Sequence, residues 1–219
     1  MNKHNNSLQI VFLFYDGMTA LDVVGPHEIL CRLPRVSVKR VALSPGKIST
    51  DSGLMLYADY ALSNITHADI LFIPGAGNAT TLRNYPEILN WVRSIHSKTT
   101  WTTSVCTGSL ILGAAGILTG IKATTHWAAL DRLRTWDAEL IEERIVQSGK
   151  IITAAGVSAG IDMALTLAAK ISGDNVAKAL QLGIEYDPEP PFDVGSPKKA
   201  DPMLLESLRK KMLASFESD

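Results

Sequence analysis

The 219-residue chain is predicted to be an α/β protein, a three-layer α/β/α sandwich with a mostly parallel central sheet. Three observations predict this. Apolar runs of strand length alternate with helix-like segments from end to end. The strongest of these runs are continuously apolar, which is the pattern of strands buried on both faces. And the runs "ILFIPGAG" and "WTTSVCTG" end in small-residue turns, as βα connections do. A chain of this length can bury one sizeable core, so residues 1–219 are expected to form a single domain.

Leu8–Tyr15 is the first buried strand, bounded by Asp16-Gly17, with Asp16 assigned to turn chemistry. Thr19–Leu33 is a predicted helix ended by Pro34, with Pro26 marking a kink or break. Val36–Leu43 alternates and meets a turn at "SPGK"; "GLMLYADYAL" supplies one or two short strands. Residues 68–75, "ADILFIPG", form another buried strand. Thr80–Ser97 carries helical apolar spacing at Leu82, Ile88, Leu89, Val92 and Ile95, with a break at Pro86. Thr100–Val105 is a strand and Thr107–Ala115 a helix. "ERIVQSGKIIT" is a hairpin with Ser148-Gly149 at its tip. Val157–Ile171 and Asn175–Tyr186 are helices, with Asp162 assigned a structural or interfacial role. "DPEPPFDVGSPKKADP" is the Pro-rich segment. Asp201 then caps a last helix, Pro202–Phe216, whose Leu204, Leu205, Leu208, Met212 and Phe216 make one apolar stripe expected to pack on the body or on a second copy.

A net charge of −1 gives no electrostatic reason to expect nucleic acid or an anionic membrane as partner. Two cysteines do not make a disulfide framework, which favours a reducing compartment. The first apolar run is too short to span a membrane and lacks a small-residue cleavage site, so a cytoplasmic protein is expected.

Cys106 lies at the joint between a strand and a helix, where an open parallel sheet presents its reactive groups. A sharp strand-to-helix turn there exposes a nucleophile, and Gly108 and Ser109 are small enough to keep it tight. The unpaired amides and dipole of the helix N-terminus favour a thiolate well below the usual thiol range. The competing assignment is an inert cysteine packed as a small hydrophobe, and that is the role assigned to Cys31, among Ile29, Leu30 and Leu33. The "IPGAGN" turn offers free amides that could stabilise a negative charge.

Together "IPGAG", "SVCTGSLILGAAGIL", "ATTHWA" and "AGVSAGIDMAL" resemble the ThiJ/PfpI superfamily, cysteine-centred relatives of the class I glutamine amidotransferases. "LDVVGPHEIL", Thr107 after the cysteine, "ATTHWA" and "EYDPEPPFDVGSP" are most similar to its isocyanide hydratases, over roughly Ile10 to Pro197. The resemblance implies a flavodoxin-like sandwich, a homodimer, no metal and no organic cofactor. It makes Cys106 the nucleophile and Asp22 its acid, where most of the superfamily has glutamate. Protease and amidotransferase members use histidine beside the cysteine; Thr107 stands there in this chain and argues against peptide hydrolysis.

On this resemblance, the Thr107 hydroxyl hydrogen-bonds Asp22, and the amides of Thr107 and Gly75 form an anion site; the carboxyl and thiol raise each other's pKa and share one proton, held on Asp22 with the charge on sulfur. His126 is either a rival base or a satisfied structural residue, and Trp127 is core or a wall of the substrate site. The implied reaction takes a small molecule, an isocyanide, to an N-substituted formamide through a cysteine thioimidate. Two alternatives share the cysteine: a glyoxalase or deglycase acting on small carbonyls such as methylglyoxal, and a non-catalytic redox sensor.

Overall fold

The computed structural model describes residues 7–78 and 85–217. In chain order the elements are β1 (Leu8–Leu13), α1 (Ala20–Leu30), β2 (Val36–Ala42), β3 (Gly46–Ser49), β4 (Met55–Ala58), β5 (Tyr60–Ala61) and β6 (Ile70–Ile73). There follow α2 (Pro86–His96), β7 (Trp101–Val105), α3 (Gly108–Ala114), β8 (Lys122–Ala123), a 3₁₀ stretch over Trp127–Trp136, and β9 (Glu139–Leu140). The hairpin β10 (Ile145–Ser148) and β11 (Ile151–Ala154) leads into α4 (Ala159–Ser172), α5 (Asp174–Gly183) and α6 (Pro202–Glu217).

Seven strands form one sheet in the order β10-β11-β7-β6-β1-β2-β5. Every neighbouring pair is parallel except the β10–β11 hairpin. The continuous apolar runs are its centre: Ile10–Leu13 and Ile70–Ile73 are completely buried, with Phe12 stacked on Phe72 at 4.7 Å. β1 pairs with β2 on one side and β6 on the other, so the order of the sheet reverses between β1 and β6. In open parallel sheets this reversal opens a crevice at the carboxyl ends of the strands.

The helices flank the sheet. α1 and α4 pack against each other so closely that a Cβ on Gly25 would meet Ile161 at 2.9 Å, and one on Gly160 would meet Pro26 at 2.9 Å. Pro26 is accommodated inside α1, which runs past it to Leu30. α2 begins at Pro86, where a break was expected; residues 79–84, including Leu82, lie outside the described residues. The β10–β11 turn is Gly149-Lys150, one residue beyond the predicted tip, because Ser148 pairs with Ile151. β3 pairs with β4 in a small antiparallel sheet, and β8 with β9 in a second small one, parallel. Asp16 accepts a bond from Ser49 N, 2.8 Å, and so ties the start of the first crossover to β3.

Asp201 caps α6 through Leu204 N, 2.9 Å. The stripe of α6 packs only in part: Met212, with Leu213 outside the stripe, lies partly buried against the core, while Leu204 and Leu208 stay 48% and 42% exposed. The Phe216 side chain lies outside the described residues. Cys31 also departs from expectation. It sits half-buried at the C-terminal cap of α1, with its Sγ near the Glu28 carbonyl and so turned away from the core side of the helix.

Candidate functional site

β1, β6 and β7 each deliver one component to the crevice beside the strand-order reversal. After β7 the chain turns sharply through Cys106, whose φ is +56°, and α3 begins at Gly108. A left-handed conformation in a non-glycine residue costs about 1–3 kcal/mol and has to be held by its surroundings. It is clamped from both sides: Cys106 N donates to Ala155 O at 2.9 Å, and Thr125 Oγ1 donates to Cys106 O at 2.8 Å. Two glycines let the backbones close around it. A Cβ on Gly108 would lie 2.4 Å from Ile73 O, and one on Gly75 would lie 2.5 Å from Thr107 N and 2.9 Å from Cys106 Cβ. The Cys106 side chain is buried.

Asp22, in the first turn of α1, is fully buried. Its Oδ2 accepts from Gly75 N at 2.8 Å, while Oδ1 has no hydrogen-bond partner among the described residues. Burial raises its pKa from 3.8 to about 7; the Gly75 bond pulls down, the Asp51 charge pushes up, and the Cys106 thiol pulls down. Burial and the Asp22 charge likewise push the Cys106 thiol up, and the Val157 and Thr107 amides oppose this only in part. A thiolate well below neutral pH, expected from the helix terminus, is therefore corrected. The site is buried, and its second member is an acid that repels the sulfur's charge.

Two further expectations change. The Thr107 hydroxyl does not reach Asp22: it donates to Ala76 O at 2.9 Å and accepts from Ala76 N at 2.8 Å, pinning the β6 turn to the elbow. The Gly75 amide is not a free anion donor, because it is engaged by Asp22. His126 caps the 3₁₀ stretch, its Nδ1 accepting from Ala128 N at 3.2 Å, and burial lowers its pKa to about 4. With Nδ1 an acceptor, the ring proton sits on Nε2, so that nitrogen has no free lone pair to act as a base. Its ring edge packs where a Cβ on Gly156 would lie 2.7 Å from Cδ2, which fits a structural residue.

Trp127 is half-buried, tilted against His126 at 5.5 Å and covered by Arg209 of α6, 5.5 Å from its ring centre. It walls a cavity of about 220 Å³ together with Leu130, Arg144, Lys198 and the two residues that clamp Cys106, Thr125 and Ala155. Asp162 pairs with Arg144 and accepts from Tyr186 Oη at 2.9 Å, which makes it structural.

Sequence inspection did not single out Thr125, Tyr15 or Asp51. Thr125 was legible in principle, being inside the quoted "ATTHWA". Tyr15 closes the apolar run of the first strand and passes for core. Asp51 comes from a remote loop, and no local pattern marks it.

Comparisons with known proteins give the family and the fold. Residues 8–170 match the DJ-1/PfpI family. The chain belongs to the DJ-1/PfpI family. It is similar to isonitrile hydratase of Pseudomonas putida, 39% identical over 211 residues, covering 96% of this chain and 92% of that protein. A glutathione-independent glyoxalase, DJR-1.2 of Caenorhabditis elegans, is 22% identical over 173 residues, covering 78% of this chain and 92% of that one. Among solved structures, a ThiJ/PfpI family protein from Pseudomonas syringae superposes with a TM-score of 0.90 at 35% identity, covering all of this chain and 95% of that chain. The mainly parallel seven-stranded sheet flanked by helices is thus the DJ-1/PfpI fold. No helix among the described residues is long and apolar enough to cross a membrane.

Proposed function

We propose that this DJ-1/PfpI chain is a cysteine-dependent isocyanide hydratase. The observation that carries the proposal is the pairing of Cys106, in a left-handed elbow, with a buried acid whose pKa of about 7 lets it give and take a proton at neutral pH. The similarity to an isonitrile hydratase along nearly the whole chain supports it.

The terminal carbon of an isocyanide, R–N≡C, must gain both a nucleophile and a proton. Ionised Asp22 takes the Cys106 proton as the sulfur adds to that carbon, then delivers the same proton to the same carbon, giving the thioimidate R–N=CH–S–Cys106. Water adds next: Asp22 removes one of its protons as the oxygen bonds to carbon, and the nitrogen is protonated in turn. The tetrahedral adduct R–NH–CH(OH)–S–Cys106 collapses with cleavage of the C–S bond. The hydroxyl proton returns to the sulfur through Asp22, and R–NH–CHO leaves. The balance is one isocyanide and one water to one formamide. An acid poised near the working pH suits each of these transfers. Thr107 holds the turn that carries Gly75, and Gly75 holds Asp22.

The Trp127-lined cavity is our candidate for the R group, with Trp127 as a wall and His126 as the structural residue behind it. We also propose that the protein is a cytoplasmic homodimer. Leu21 and Val24, 44% and 43% exposed on the helix that carries Asp22, are suited to a subunit contact. The test is to incubate purified protein with p-nitrophenyl isocyanide and follow the formamide, with methylglyoxal as competitor. Formamide formation by the wild type and its absence in Cys106→Ser supports the assignment. Consumption of methylglyoxal with no formamide gives the site to the glyoxalase alternative.

A further inference from the structure

Tyr15, the residue closing the first apolar run, is buried with its hydroxyl beneath the site. Its Oη donates to Pro74 O at 2.9 Å. Pro74 C=O and Gly75 N–H are the two ends of one peptide group, and that N–H is the donor to Asp22 Oδ2 at 2.8 Å. Tyr15 and Asp22 therefore grip the same rigid plane from opposite ends. Donation to a carbonyl polarises the peptide and strengthens its N–H as a donor; it also fixes the plane's orientation. We propose that Tyr15 is a positioning residue that sets the acidity of Asp22 through the Pro74–Gly75 peptide.

Several features support the relay. The Tyr15 phenol keeps the proton it donates to Pro74 O, since burial and the nearby charges of Asp22, Cys106 and Asp51 hold its pKa well above the usual phenol range. The peptide has little room to turn on its own, because Gly108 is packed against the Pro74 carbonyl, where a Cβ would lie 2.8 Å away. The Gly75 bond is the principal influence opposing the burial of the Asp22 charge. The titratable groups that act on Asp22 are Asp51, across the Thr19 hydroxyl to which it bonds at 2.5 Å, and Cys106; Tyr15 faces all three.

The sign follows. Removing the phenol proton weakens the Gly75 donor, so Asp22 holds its own proton to higher pH, and the pair loses its first proton later. Tyr15→Phe should move the rising limb of Cys106 alkylation by iodoacetamide upward by roughly half a pH unit, the share of a charge-assisted hydrogen bond that depends on its neighbour. Peptide-resolved mass spectrometry separates Cys106 from Cys31. A tyrosine made more acidic by ring fluorination at position 15 should shift the same limb downward, and this variant keeps the packing if Tyr15→Phe folds poorly. This inference rests on the acid role given to Asp22 but not on the substrate, because alkylation reads the pair directly. Absence of isocyanide turnover would overturn the proposed reaction alone. Limbs that coincide in wild type, Tyr15→Phe and the fluorinated protein, whatever their melting temperatures, would overturn the relay.

Discussion

Replacing Asp22 by asparagine should remove activity and stabilise the protein, with a gain that grows with pH. The folded pKa is raised from 3.8 to about 7, about three units. At about 1.4 kcal/mol per unit, ionising this buried carboxyl costs the fold about 4 kcal/mol. Because the folded value is raised, the fold keeps its full stability below the unfolded value of 3.8 and loses about 4 kcal/mol of it as pH rises through about 7. Asparagine keeps an oxygen for the Gly75 amide but never ionises; its amino group takes the place of Oδ1, which has no partner among the described residues. That mismatch costs about 1–3 kcal/mol at every pH, so the variant can be the less stable protein in acid. Urea unfolding at a series of pH values isolates the electrostatic part, since ionisations common to both proteins cancel in the difference. The stability of Asp22→Asn relative to wild type should rise by about 3–4 kcal/mol between pH 4 and pH 8. Isocyanide hydration should fall by about 10²–10⁴-fold, the usual contribution of a general acid–base group. A stability difference that stays flat with pH would refute the argument, because it would mean Asp22 titrates alike in the folded and unfolded chain.

Cys106→Ser should abolish formamide production in a folded protein, since a hydroxyl beside a carboxylate of this pKa stays protonated; Cys31→Ser, at its half-buried helix end, should leave kcat unchanged. Asp22→Glu lengthens the arm by one carbon where Gly75 N and Asp22 Oδ2 already meet at 2.8 Å. Steady-state kinetics should show a loss of about 10²-fold, with activity still above that of Asp22→Asn. Gly75→Ala places a methyl 2.5 Å from Thr107 N and should cost about 1–3 kcal/mol in unfolding free energy, with a further loss of kcat because the Asp22 donor moves. His126→Asn should lower Tm without changing the pH limbs of turnover, because a buried ring with a pKa of about 4 is neutral throughout the working range.

The sheet was legible because its central strands are buried on both faces: Ile10–Leu13 and Ile70–Ile73 could be recognised from continuous apolar runs. Cys106 was legible as a nucleophile candidate because strand, cysteine and small-residue helix are contiguous in the chain. Its thiol acidity was not. The repulsion between Asp22 and the sulfur can be anticipated, but burial is the larger cause, and burial is not a local property of the sequence. The Thr107 hydroxyl was assigned to Asp22 from proximity in a resemblance, but the β6 turn presents both the Ala76 N–H and C=O to it, and two neutral hydrogen bonds saturate its donor. Cys31 was placed in the core because it follows apolar neighbours, whereas the last turn of α1 rotates it toward the surface. The partial exposure of the α6 stripe escaped for a related reason: periodicity identifies a face but does not say how far along it the body extends.

The same placements that make the site reactive work against the stability of the fold. Cys106 holds a left-handed backbone angle, and Asp22 buries a carboxyl with one oxygen lacking a partner among the described residues. Gly75 and Gly108 give up side chains so that two turns can touch. Each feature is unfavourable alone, by about 1–3 kcal/mol for the backbone and about 4 kcal/mol for the ionised acid. They are tolerable together because each surrounding hydrogen bond ends on main-chain atoms of the turns that follow β6, β7 and β11, strands held by the completely buried centre of the sheet. The crevice at the strand-order reversal provides such anchoring, since turns from separate parallel strands converge there without competing for one edge. A proton shared between a thiol and a carboxyl needs both groups dry, close and unable to relax apart. The sheet meets that need by fixing the backbone on either side of the pair, which is what the proposed proton exchange between Cys106 and Asp22 requires.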